Sequence, residues 1–160
     1  MENVSVANYN CPGQIVITGE TKAVEKAAEA LKEAGAKRAV MLNVSGPFHS
    51  PMMKPAGEEL AKVLEKTELS ELQIPYVTNV TAEYVSDISE TKALLAEQVA
   101  SSVRWQESME RMIAEGVDTF VEIGPGKTLA GFMRKINRNV KMYNIGTWED
   151  VEKVTAELLA

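Results

Sequence analysis

Residues 118–146 read DTFVEIGPGKTLAGFMRKINRNVKMYNIG, and their pattern decides the fold class. DTFVEIG (118–124) is a near-continuous apolar run, the mark of a strand buried in a parallel sheet. GKTLAGFMRKI (126–136) continues as a helix, and VKMYNIG (140–146) as a further strand. Strand, helix and strand in succession place the chain in the α/β class. Outward from this unit the alternation holds. WEDVEKVTAELL reads as a terminal helix. Glu90 to about Ala100 and Val103 to Glu115 read as helices, the second with Trp105, Met109, Met112 and Ile113 inward and Gly116 as its stop. IPYVTNV (74–80) reads as a strand whose Pro75 marks a beginning or an edge.

The opening reads as a β-α-β unit: QIVIT (14–18), a helix capped by Thr21, and KRAVMLNV (37–44). Val24, Ala27, Ala28, Leu31 and Ala34 share one face of that helix, and Gly35 follows as a left-handed stop. After Gly46-Pro47 another helix starts in one of two ways. Either Ser50-Pro51 caps it and it bends at Pro55, or an irregular turn spans 50–54 and the helix begins at Pro55. The shift at Gly46-Pro47 divides the chain into 1–45 and 46–160.

A length of 160 residues suffices for one ordinary domain, and 45% hydrophobic with 25% charged residues is a globular mixture. A net charge of −6 argues against a nucleic-acid surface. The cluster Arg134, Lys135 and Arg138 reads as a solvated helix end. The single cysteine, Cys11, excludes an internal disulfide and fits a reducing compartment; with one histidine it cannot supply a structural zinc site. The absence of a signal peptide and of a membrane-length apolar run points to a cytoplasmic protein off the membrane. Three Asn-X-Ser/Thr sequons, at Asn3, Asn43 and Asn79, then read as chance.

EIGPGKT (122–128) invites a phosphate-loop reading, but Val121 stands where that motif needs a glycine, and Leu129 where a dinucleotide fingerprint does. A tight strand-to-helix turn with a free helix N-terminus accounts for it better. The only histidine, His49, lies in SGPFHSPMM (45–53). Ser45, His49 and Ser50 resemble pieces of a hydrolase, yet no G-x-S-x-G elbow occurs in the chain. Ser50 suits a helix cap. An imidazole at a strand-to-helix junction lies at the rim of an α/β sheet, where clefts form.

Taken together, ANYNCPGQIVITG, GAKRAVMLNVSGPFHSPMMKPA, SSVRWQESMERM and FVEIGPGKTLAGFMRKI resemble the malonyl-CoA:acyl-carrier-protein transacylase family of bacterial fatty-acid synthesis. The resemblance spans nearly the whole chain but matches only the C-terminal half of the family. It implies the returning half of an α/β-hydrolase-like core (46–160) and part of a ferredoxin-like small subdomain (1–45). The serine nucleophile and the arginine that grips the malonyl carboxylate would lie in a missing N-terminal half. Met1-Glu2 would then be the start of a truncated chain, or of one paired with a second polypeptide. By the same resemblance His49 is the catalytic base, oriented by the backbone carbonyl of Gln98. Phe48 would border the acyl pocket and select malonyl, and Asn10 and Gln14 would face the substrate cleft. Malonyl-CoA and acyl carrier protein are the implied partners. No metal or bound cofactor is implied, because CoA is a substrate. Two readings follow: the histidine half of an acyltransferase, inactive alone, or a non-catalytic fragment that docks a carrier protein. A free-standing serine hydrolase is a weaker third.

Overall fold

The computed structural model describes residues 3–160; the Met1-Glu2 start lies outside the described residues. The chain opens with an antiparallel hairpin, β1 (Val4–Cys11) and β2 (Gln14–Gly19). Pro12 and Gly13 make its turn, with Gly13 at φ +76°. Pro then Gly is the residue chemistry of a type II turn, whose second central position needs positive φ. The opening is therefore a hairpin followed by α1 (Thr21–Glu33), not a β-α-β unit. Thr21 is the first helical residue; Glu20 occupies the cap position and makes no side-chain cap bond. Gly35, at φ +99°, stops the helix as expected.

KRAVMLNV (37–44) is not a strand. It runs irregularly with Val40, Met41, Leu42 and Val44 exposed at 67%, 56%, 57% and 64%. A strand persists only where a neighbour satisfies its N–H and C=O groups. No described strand pairs with this segment.

Pro51–Met53 form one 3-10 turn that leads into α2 (Lys54–Glu65). This is the irregular-turn alternative, with the helix starting one residue before Pro55. Pro55 then sits in the first turn, where its missing N–H has no helical partner to lose. Ser50 does not cap the helix. Its buried hydroxyl donates to the Pro47 carbonyl at 2.6 Å and braces the Gly-Pro turn. The strand expected over 74–80 contracts to β3 (Tyr76–Val77), paired antiparallel with β4 (Tyr84–Val85), a strand the sequence pattern does not disclose. Next, α3 (Ile88–Gln98) is capped by Asp87, which accepts the Ser89 N–H at 2.8 Å. The helices α2 and α3 pack tightly. A Cβ on Gly57 would stand 2.7 Å from the Ala96 carbonyl oxygen, so only glycine fits there.

The remaining elements are α4 (Trp105–Ala114), β5 (Thr119–Ile123), α5 (Thr128–Ile136), β6 (Lys141–Ile145) and α6 (Trp148–Leu158). β5 and β6 pair in parallel from Thr119↔Lys141 to Ile123↔Ile145, as 118–146 predicts. Thr147 and Asp150 form a reciprocal capping box on α6. α4 begins at Trp105 rather than Val103 because Val103 pairs with β1. Tyr9 N–H donates to the Val103 carbonyl at 2.9 Å, and Val103 N–H donates to that of Ala7 at 2.7 Å. The Ser102 hydroxyl adds a bond to the Val6 carbonyl at 2.6 Å. The hairpin is thereby strapped to the remainder, and Ala7, Cys11, Met109, Ala130 and Met133 are buried. Among the described residues no helix is long and apolar enough to cross a membrane.

Candidate functional site

His49 sits between the braced Gly46-Pro47 turn and the 3-10 turn that enters α2, at φ +59°. A side chain rarely adopts this left-handed backbone, at a cost of about 1–3 kcal/mol. The Ser50–Pro47 bond and the close packing of α2 on α3 hold it there. Both helices bring the ring to one point: α2 starts beside the end of α3, and Gln98 is the last residue of α3. A helix leaves its last carbonyls without helical donors, and that of Gln98 is 3.1 Å from His49 Nδ1. It also receives the Ser101 N–H at 3.4 Å. With the proton on Nδ1 donated to this carbonyl, Nε2 keeps a free lone pair, the state a general base needs. The side-chain amide of Gln98 reaches the same ring nitrogen, its Nε2 lying 3.3 Å from His49 Nδ1.

Of the five residues singled out from sequence, His49 and Gln98 are in direct contact. Phe48 precedes the histidine and is half exposed. Asn10 is buried on β1, while Gln14 begins β2, where its Oε1 lies 3.4 Å from Lys135 Nζ and 3.8 Å from Cys11 Sγ. Segment 98–103 links the two groups, running from the histidine's partner to the residue that pairs with β1. Two cavities, of about 580 Å³ by Glu65–Leu69 and about 270 Å³ between α4, α5 and β5, are not lined by His49. Among the described residues no cluster of three His, Cys, Asp or Glu side chains could hold a metal.

The turn at EIGPGKT resolves differently from expectation. Its helix N-terminus is not free: Glu122 accepts the N–H groups of Leu129 and Ala130 at 3.0 and 2.9 Å. Asn144, opposite it on β6, donates to the same carboxylate at 2.7 Å. Burial pushes the carboxyl up, but the bonds from Ala130, Leu129 and Asn144 outweigh it and hold it below its ordinary value. A phosphate would find these N–H groups taken. The sequence signal was present, since a glutamate inside an apolar strand needs a partner.

Residues 1–155 match the acyl transferase domain family. A malonyl CoA-acyl carrier protein transacylase of Bacillus subtilis (strain 168) is 50% identical over 149 residues, 93% of this chain and 47% of that protein. The crystal structure of the acyl-carrier-protein S-malonyltransferase from Bartonella henselae superposes with a TM-score of 0.93 at 43% identity, over 98% of this chain and 50% of that one. A malonyl-transacylase in complex with its type II PKS acyl-carrier protein gives 0.93 at 39% identity, covering 96% of this chain and 50% of its own. The chain thus spans about half the length of these relatives. The match across nearly all of its residues, together with the preserved fold, means that the chain belongs to the acyl transferase domain family.

Proposed function

We propose that this chain is the histidine-bearing half of an enzyme that moves malonyl from CoA to the phosphopantetheine thiol of acyl carrier protein. The observation that carries the reading is the contact between His49 Nδ1 and the Gln98 carbonyl at 3.1 Å. With the proton on Nδ1 donated to that carbonyl, His49 Nε2 is available as general base. A serine supplied by the absent half of the fold attacks the thioester carbonyl, its proton passing to His49 Nε2. The C–S bond then breaks, and the departing thiolate takes that proton. Transfer to the carrier thiol repeats the cycle in reverse, with the serine regaining its proton. In this reading Phe48 borders the acyl group and favours malonyl, while Asn10 and Gln14 face the cleft from a small subdomain made by residues 1–45. The remainder, 46–160, belongs to a hydrolase-like core. The reaction calls on no metal or bound cofactor.

The exposed apolar segment 37–44 supports completion by another stretch of polypeptide, as does the cavity of about 270 Å³ lined by Met109, Met112, Phe120 and Met133. The test adds the complementary half of the Bacillus subtilis relative as a second polypeptide. Radiolabelled malonyl-CoA should leave no label on this chain alone. The mixture should transfer malonyl to carrier protein, and His49→Ala should lower that rate by about 10²–10⁴-fold. Hydroxylamine-labile label on the isolated chain, or an unchanged rate in the variant, rejects the reading.

A further inference from the structure

The strap that ties the hairpin to the remainder starts at Ser102, shortly after the end of α3. It grips β1 where the hairpin register shifts between Val6 and Asn8, which leaves Ala7 as an extra residue. In a regular strand consecutive carbonyls point to opposite edges; the bulge turns those of Val6 and Ala7 to one side. The Ser102 hydroxyl donates to the first at 2.6 Å, and the Val103 N–H to the second at 2.7 Å. Towards α3 the same segment is held loosely. The Ser101 N–H stands 3.4 Å from the Gln98 carbonyl, beyond the usual range of about 2.7–3.2 Å for such a bond. That carbonyl also lies 3.1 Å from His49 Nδ1. Two donors therefore share one acceptor, and the pull of the strap decides how they divide it. We propose that Ser102 is a positioning residue for His49. Its hydroxyl draws Ser101 towards β1 and keeps the Ser101 N–H off the Gln98 carbonyl, which leaves that oxygen to the proton on Nδ1. Without the hydroxyl the turn after α3 closes, and the Ser101 N–H competes with the ring. A displacement of β1 thus reaches the histidine through 98–103, and the catalytic meaning of this coupling rests on the acyltransferase reading above.

The chain's single histidine makes the test direct, because every imidazole signal belongs to it. The 160-residue chain is labelled with ¹⁵N-histidine. Two-bond ¹⁵N–¹H correlations, taken where the ring is neutral, report which nitrogen holds the proton. Ser102→Ala removes the hydroxyl and leaves both main-chain bonds of Val103 in place. It should lower the ratio of Nδ1–H to Nε2–H by about twofold or more, the scale of a weak hydrogen bond. Ser102→Thr keeps the hydroxyl and should hold the parent ratio. Ser102→Val, nearly isosteric with threonine but without the donor, should fall with alanine. The threonine and valine variants carry the test if alanine loosens the fold, because a packing effect alone would move both alike. Equal shifts in those two, or a ratio unchanged in both alanine and valine, overturns the inference. No substrate enters the measurement. A ratio that falls as expected, with a completed enzyme that transfers no malonyl, would keep the coupling and reject only the catalytic reading.

Discussion

A carboxylate in the middle of an apolar strand carries the first prediction. Glu122 holds the first turn of α5 by two N–H bonds and ties β5 to β6 through Asn144. Its carboxyl lies below the ordinary value of 4.5 because these donors outweigh burial. A carboxyl lowered on folding stabilises the fold above its ordinary value, and that contribution fades as pH falls through the lowered one. Glu122→Gln should therefore cost about 1–3 kcal/mol near neutral pH, as expected for hydrogen bonds to a charged group. The difference from the parent chain should narrow as pH drops below about 4. Urea unfolding across a pH series measures it, and a difference independent of pH would show that the charge is irrelevant. His49 teaches a related lesson. Its place at the mouth of a helix was legible from SGPFHSPMM, and its carbonyl partner came from the resemblance. The second contact, from the Gln98 side chain, was not legible, because residues 49 positions apart meet only through helix packing.

At the scale of elements, two helical glycines should answer the same substitution with opposite signs. Alanine in a helix interior gains up to about 1 kcal/mol over glycine. At Gly131 in α5 a Cβ would meet nothing within 4 Å, so Gly131→Ala should raise the melting temperature. At Gly57 the same Cβ meets a main-chain oxygen at 2.7 Å. Overpacking of this kind costs about 1–3 kcal/mol. Gly57→Ala should lower the melting temperature and push the start of α2 away from Gln98; calorimetry on both variants decides the matter. Equal shifts would mean that the α2–α3 contact does not control the site. The sequence disclosed the elements that follow from local chemistry. The parallel pair β5–β6, the helices and their glycine stops are written in runs of apolar residues and in single punctuating residues. It misplaced those that depend on neighbours. β1 lacks a clean alternation, β4 is two residues long, and 37–44 has strand composition without a strand beside it.

For the whole molecule, the arrangement is of parts whose connections differ in kind. The hairpin and α1 are joined to the rest by sequence through 37–44 and by hydrogen bonds through Val103 and Ser102. The first connection is exposed and without regular structure, and it contains Lys37 and Arg38. The second is short, combines two main-chain bonds with one from the Ser102 hydroxyl, and is backed by buried side chains. Proteases cut chain that fits their cleft without prior unfolding, so brief trypsin treatment should cut first after Lys37 or Arg38. The clip should not separate the pieces. A denaturing gel would show two bands, while size exclusion without denaturant would give one peak at the mass of the uncut chain. Two peaks would mean that the strap across Val103 is too weak to hold the hairpin. A clipped yet associated chain would behave as a natural pair of fragments, with covalent continuity just ahead of His49 dispensable to its architecture.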